Sequence, residues 1–93
     1  MFVRVVRFTD VTAERVASLA AEIEESGPPP GVPIKQLQLV FDEAQGTAVV
    51  LQYFDSEESL RAGAETFAAM DPSETPGTRA SVDAGELRIA REL

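Results

Sequence analysis

Thr47–Met70, TAVVLQYFDSEESLRAGAETFAAM, reads as a strand, a helix-start signal and a helix with no residues to spare between them. Thr47 to Phe54 is rich in β-branched and aromatic residues, the composition of a strand. Alternation divides it into two faces: Thr47, Val49, Leu51 and Tyr53 on one, Ala48, Val50, Gln52 and Phe54 on the other. Both are largely apolar, so both are expected to be covered. Asp55 and Ser56 each offer a side-chain oxygen to the free N–H groups of a first helical turn, and Glu58 follows Asp55 at a capping-box spacing. Leu60, Ala64 and Phe67, with Gly63 and Ala68 beside them, recur at three and four residues and mark one face of a helix. Asp71-Pro72 stops it, because a residue before proline is pushed out of the α region.

Working outward, Phe2 to Phe8 (FVRVVRF) is a strand, with Val3, Val5 and Arg7 on one face and Phe2, Arg4, Val6 and Phe8 on the other. Thr9 to Thr12 turns into a helix whose N-cap is Thr12, with Asp10 as the competitor. Val16, Leu19, Ala20 and Ile23 form its apolar stripe, and Gly27 is its C′ residue. Gly27 to Pro33 (GPPPGVP) is a stop and spacer; as a proline-rich docking motif it holds a single PxxP register and no basic residue. Ile34 to Phe41 is the next strand, with Leu37, Leu39 and Phe41 on one side and Ile34, Gln36, Gln38 and Val40 on the other. Asp42 to Gly46 makes a hairpin turn into the Thr47 strand. After an irregular loop, Asp71 to Thr78, a last strand runs from Arg79 to Arg91, with Gly85 as a candidate bulge.

The chain has 93 residues, enough for one domain spanning 1–93 with a thin core. A chain of this size buries roughly 60–65% of the surface it exposes when unfolded. Its net charge is −8, from 16 acidic and 8 basic residues, which argues against a nucleic-acid footprint and against an anionic membrane surface. Without cysteine there are no disulfides, thiolate nucleophiles or cysteine-held metals; without histidine there is no proximal-histidine haem, His-based metal site or Ser-His-Asp triad. No metal and no cofactor are expected. No signal-peptide pattern and no membrane-spanning run is present, so a cytoplasmic protein is expected.

The element order βαββαβ, with right-handed crossovers, predicts an α+β ferredoxin-like fold: a four-stranded antiparallel sheet in the order 4-1-3-2 with both helices on one face. The helices are expected over Val3, Val5, Leu37, Leu39, Val49, Leu51, Leu87 and Ile89. The open face would then carry Phe2, Arg4, Val6, Phe8, Gln36, Gln38, Val40, Val50, Gln52, Phe54, Val82, Glu86 and Arg88. A face this apolar needs a partner, and a second copy packed on it by C2 symmetry would close a dimeric α/β barrel around a cavity.

With these elements in place, the whole chain resembles the dimeric α/β-barrel superfamily, which includes cofactor-free antibiotic-biosynthesis-type monooxygenases. The FDSEESLRAG segment is similar to the strand–helix junction found there. The Pro-Gly loop and the Arg-rich last strand also look like a group of uncharacterised actinobacterial proteins of this type. The resemblance implies the fold and a homodimer, and leaves the activity open. The histidine and tryptophan residues that several active members use are absent here, so haem-degrading and His-dependent readings have no residues to carry them.

Arg4 is the residue to single out, a charge in mid-strand among Phe2, Val6 and Phe8. It either pairs with Glu86 across the sheet, as buried charges normally do, or anchors an anion or carbonyl in the cavity, with Gln36, Gln38, Gln52 and Arg88 as further donors. Glu86 is the one carboxylate placed inside and the candidate general base. Tyr53 is read as core, Met70 as a gap filler, Glu57 and Glu58 as capping residues, and the 71–78 loop as an ordinary connection or a lid. The first functional reading is a small homodimer that binds an apolar or amphipathic molecule between the two sheets. The second is a cofactor-independent oxygenase or isomerase, with Arg4 and Gln52 on an enolate and Glu86 as base. The third is a structural or regulatory dimer with a filled interior.

Overall fold

A computed structural model describes residues 1–27, 32–70 and 75–92. The elements are β1 (Phe2–Thr9), α1 (Ala13–Ser26), β2 (Ile34–Asp42), β3 (Thr47–Phe54), α2 (Glu57–Ala68) and β4 (Thr78–Glu86). They build one antiparallel sheet in the order β2-β3-β1-β4, the expected 4-1-3-2 read from the other edge. Hence the fold is the predicted ferredoxin-like α+β arrangement. The Asp71-Pro72 stop, the PPPG part of the proline loop and residues 71–74 of the loop before β4 lie outside the described residues.

Local chemistry sets the helix boundaries. The Thr12 hydroxyl accepts a hydrogen bond from the Arg15 amide at 3.2 Å and starts α1; Gly27, at φ 69°, ends it while its N–H bonds the Ile23 carbonyl. At α2 the cap is Ser56, which accepts from the Ser59 amide at 3.1 Å. Asp55, the other candidate, instead faces Lys35 across a 3.2 Å ion pair.

The hairpin register decides which residues share a face. The four-residue turn Glu43–Gly46 pairs Asp42 with Thr47, which sets Leu39 opposite Val50 and Leu37 opposite Gln52. On the other side of β3, Gln52 faces Arg4 and Val50 faces Val6. Antiparallel partners point the same way, so Arg4, Val6, Val50, Gln52, Leu37 and Leu39 lie on one face.

The helices cover that face, the opposite of the expectation for β1, β3 and β4, where Val82 and Glu86 share the face of Val6 and Arg4; only β2 keeps its expected side. Val6, Phe8, Val11 and Ala48 form one buried cluster, against which Val16 of α1 packs. Val32, Phe54 and Leu60 of α2 form another, joined by Phe2, Ile34 and Phe67. Phe54 is fully buried. The reason is bulk. Both strand faces are apolar, but only one carries Phe2, Phe8, Phe41 and Phe54, and these bulky rings pack in the layer beneath the helices. Gly63 admits one of them: a Cβ there would stand 2.5 Å from the Phe54 ring. The uncovered face holds Val3, Val5, Val49, Leu51 and Tyr53, with Gln36, Gln38 and Val40 of β2, so Tyr53 is not in the core. Its hydroxyl donates to Gln38 Oε1 at 2.8 Å on that open face.

β4 is shorter than expected. It ends at Glu86, and Leu87 to Glu92 run on without strand geometry, with Ile89 84% exposed. The irregularity in its pairing falls at Ala80, opposite the Arg7/Phe8 step, and not at Gly85. Among the described residues no helix is long and apolar enough to cross a membrane.

Candidate functional site

The two helices do not close on the sheet along its whole length. α1 buries none of its residues. Its stripe is Val16, Leu19, Ala20 and Ile23; Ala20 adds little bulk, and Val16 is the α1 residue packed on the buried cluster, so the helix rests on the sheet there and stands off beyond it. The gap is a half-open cavity of about 980 Å³ between α1, the end of α2 and the sheet. Leu19, Ile23, Leu37 and Phe67 form its apolar wall, and Thr75 to Arg79 form its rim on the β4 side. Met70, expected as a gap filler, lines this cavity.

Two polar side chains point into it from the middle of the sheet. Arg4 on β1 and Gln52 on β3 are directly opposed in register, and each is only 4% exposed. Arg4 Nη1 donates to Gln52 Oε1 at 2.9 Å. The guanidinium also lies over the Phe67 ring, 5.6 Å from its centre, a cation–π contact with α2. No fully enclosed side-chain nitrogen or oxygen among the described residues lacks a partner. The remaining guanidinium donors and the Gln52 amide N–H groups therefore open onto the cavity. Burial, and after it the like charge of Arg79, pull the Arg4 pKa below its ordinary value.

The structure separates the other expected site residues from this pair. Gln36 and Gln38 are exposed on the opposite face of the sheet, where Gln38 takes the Tyr53 hydroxyl. Glu86 shares the Arg4 face but sits two residues further along, opposite Phe2; Ala84 is the residue beside Arg4. Arg4 leans to Gln52, and the exposed Glu86 pairs with exposed Arg88 at 3.2 Å. The Arg4–Glu86 pair is thus not formed, and Glu86 lacks the burial that would make it a general base. Arg88 lies beyond the end of β4 and outside the cavity wall. The cavity residues that sequence reasoning missed are Phe67, Leu19, Ile23 and Arg79. The first three belong to the apolar stripes of the two helices, and small Ala20 within the α1 stripe is the one local signal of an underfilled layer. Among the described residues no group of three or more His, Cys, Asp or Glu side chains could hold a metal ion.

No protein-family model matches the chain, and no curated protein matches it. Solved structures do. The chain superposes on the R26S variant of MhuD, solved with two manganese protoporphyrin IX bound per active site, with a TM-score of 0.58 at 15% identity, covering 100% of this chain and 98% of that one. An antibiotic-biosynthesis-monooxygenase-type protein from Deinococcus radiodurans gives 0.58 at 12% identity, with the same coverage. A further antibiotic biosynthesis monooxygenase gives 0.58 at 13% identity over 98% of this chain and all of its own. At these identities the likeness is one of fold, and the chain has the ferredoxin-like βαββαβ fold of the antibiotic-biosynthesis-monooxygenase-type proteins.

Proposed function

We propose that the protein is a homodimer in which each protomer binds a small amphipathic molecule, in the cavity between the sheet and its helices. The observation that carries this reading is the Arg4–Gln52 pair, two buried polar groups turned into an otherwise apolar cavity of about 980 Å³. A few convergent polar groups in an apolar pocket of several hundred Å³ are the usual make-up of a small-molecule site. The site lies on the helix side of the sheet, and not between two sheets as the alternation pattern implied. The dimer reading draws on the uncovered face, where no helix among the described residues packs over Val3, Val5, Val49 and Leu51 and Val40 is 56% exposed. A second copy packed on that face would leave the cavity of each protomer intact. Native mass spectrometry of the purified protein tests both parts. A dimer carrying extra mass that is released on denaturation is the expected result; a monomer overturns the dimer. A ligand-free dimer that takes up none of a panel of small amphipathic molecules favours a structural role.

A second reading, a cofactor-independent oxygenase or isomerase, is favoured by one feature: the pair presents several N–H donors to the cavity, which suits an enolate oxygen. Its base would not be Glu86. Glu22, on exposed α1, is the acid that lines the cavity among the described residues. Oxygen uptake with enolisable aromatic substrates, abolished in Glu22→Gln, is the corresponding test.

A further inference from the structure

We infer that the ligand of this cavity is a carboxylate with an apolar body, its carboxylate seated on Arg4; the inference rests on the cavity being a binding site. The chain as a whole is acidic, with a net charge of −8, yet two arginines, Arg4 and Arg79, line this one cavity. Three other basic residues are matched with acids: Lys35 with Asp55, Arg61 with Glu57 and Arg88 with Glu86. Arg4, the most buried of them, has only the neutral Gln52 and the Phe67 ring among the described residues. A buried cation without a counter-ion is costly, and proteins normally supply one. Glu22, the acid on the wall, is exposed and makes no ion pair among the described residues. The missing counter-ion is therefore supplied by the ligand.

The geometry selects its chemistry. The Arg4 guanidinium carbon lies over the Phe67 ring and Gln52 takes one donor, which leaves further N–H donors to bind a planar carboxylate as the acceptor. The free amide N–H groups of Gln52 stand beside them. The wall of Leu19, Ile23, Leu37 and Phe67 suits a hydrocarbon or aromatic body, and Arg79 at the rim adds attraction for an anion entering.

Isothermal titration of the full chain with 2-naphthoate and with its primary amide tests this. The two probes share shape and differ in charge. The expected result is that the carboxylate binds at least about tenfold more tightly than the amide, about 1.4 kcal/mol, and that Arg4→Met brings the two within about twofold of each other. If the amide binds as well as the carboxylate, the inference fails while the cavity reading stands. If neither probe binds, the cavity reading fails and takes the inference with it. A preference that survives Arg4→Met but disappears in Arg79→Gln would overturn the assignment to Arg4. Should Arg4→Met not fold, the wild-type preference still decides the ligand class and Arg4→Gln replaces it.

Discussion

Arg4 is held in the middle of the sheet by neutral neighbours, and its lowered pKa says that burial disfavours its charge. A base whose folded pKa falls below its unfolded value weakens the fold wherever it is protonated, which for arginine includes neutral pH. Removing Arg4 alone would strand the Gln52 oxygen; removing both partners removes the charge and the unmet acceptor together. The double variant Arg4→Met/Gln52→Leu is therefore expected to melt at or above the wild-type temperature. A fall of more than about 4 °C, roughly 1 kcal/mol for a domain of this size, would make the pair structural. Gly63 gives a second prediction at this scale. An interior helix glycine replaced by alanine ordinarily stabilises by about 0.5–1 kcal/mol. Here the added Cβ meets the Phe54 ring, so Gly63→Ala is expected to lose about 1–3 kcal/mol in urea unfolding. Gly85→Ala, with open space around it, is the control and should change little. Arg4 and Gln52 could both be picked from the sequence as polar residues in apolar strands. Their pairing, and the absence of Glu86 from it, follow from cross-strand register, which no single strand contains.

At the level of elements, α1 and α2 differ although each has an apolar stripe and a hydroxyl cap. α2 buries Leu60 and Gly63; α1 buries nothing, and much of its apolar stripe faces the cavity. Segments with few buried contacts open most easily. Amide exchange is expected to be faster in the middle of α1 than in α2, and a bound ligand should slow it at Leu19 to Ile23. Equal protection of the two helices would contradict the standing-off of α1. Their caps are a separate matter. Thr12→Ala and Ser56→Ala each remove a side-chain acceptor for a first-turn amide and should each cost about 1 kcal/mol, read from the denaturation midpoint. Strand and helix positions were legible because periodicity and caps are local. The end of β4 was not, because the alternation of Leu87 and Ile89 continues past the point where β1 has residues left to pair.

For the molecule as a whole, the uncovered sheet face is the feature that one chain leaves unresolved. A charge placed there should matter only if a second copy covers it. Leu51→Asp is expected to turn a dimer into a folded monomer, seen as a halved mass by sedimentation with unchanged far-ultraviolet dichroism. Arg4→Met, on the other side of the sheet, should leave the mass as it is. Element order, the antiparallel sheet and its strand order were set by the sequence alone, because each rests on local periodicity and on handedness rules that hold for any chain. Which face the helices cover was decided only in the tertiary structure. Both faces are apolar enough to be buried, and the choice turned on the volume of Phe2, Phe8, Phe41 and Phe54 packed together across three strands. The cavity was likewise beyond local reading. It is the space left where α1 stands off from the layer that those rings only partly occupy, and such a shortfall exists only between elements brought together by the fold.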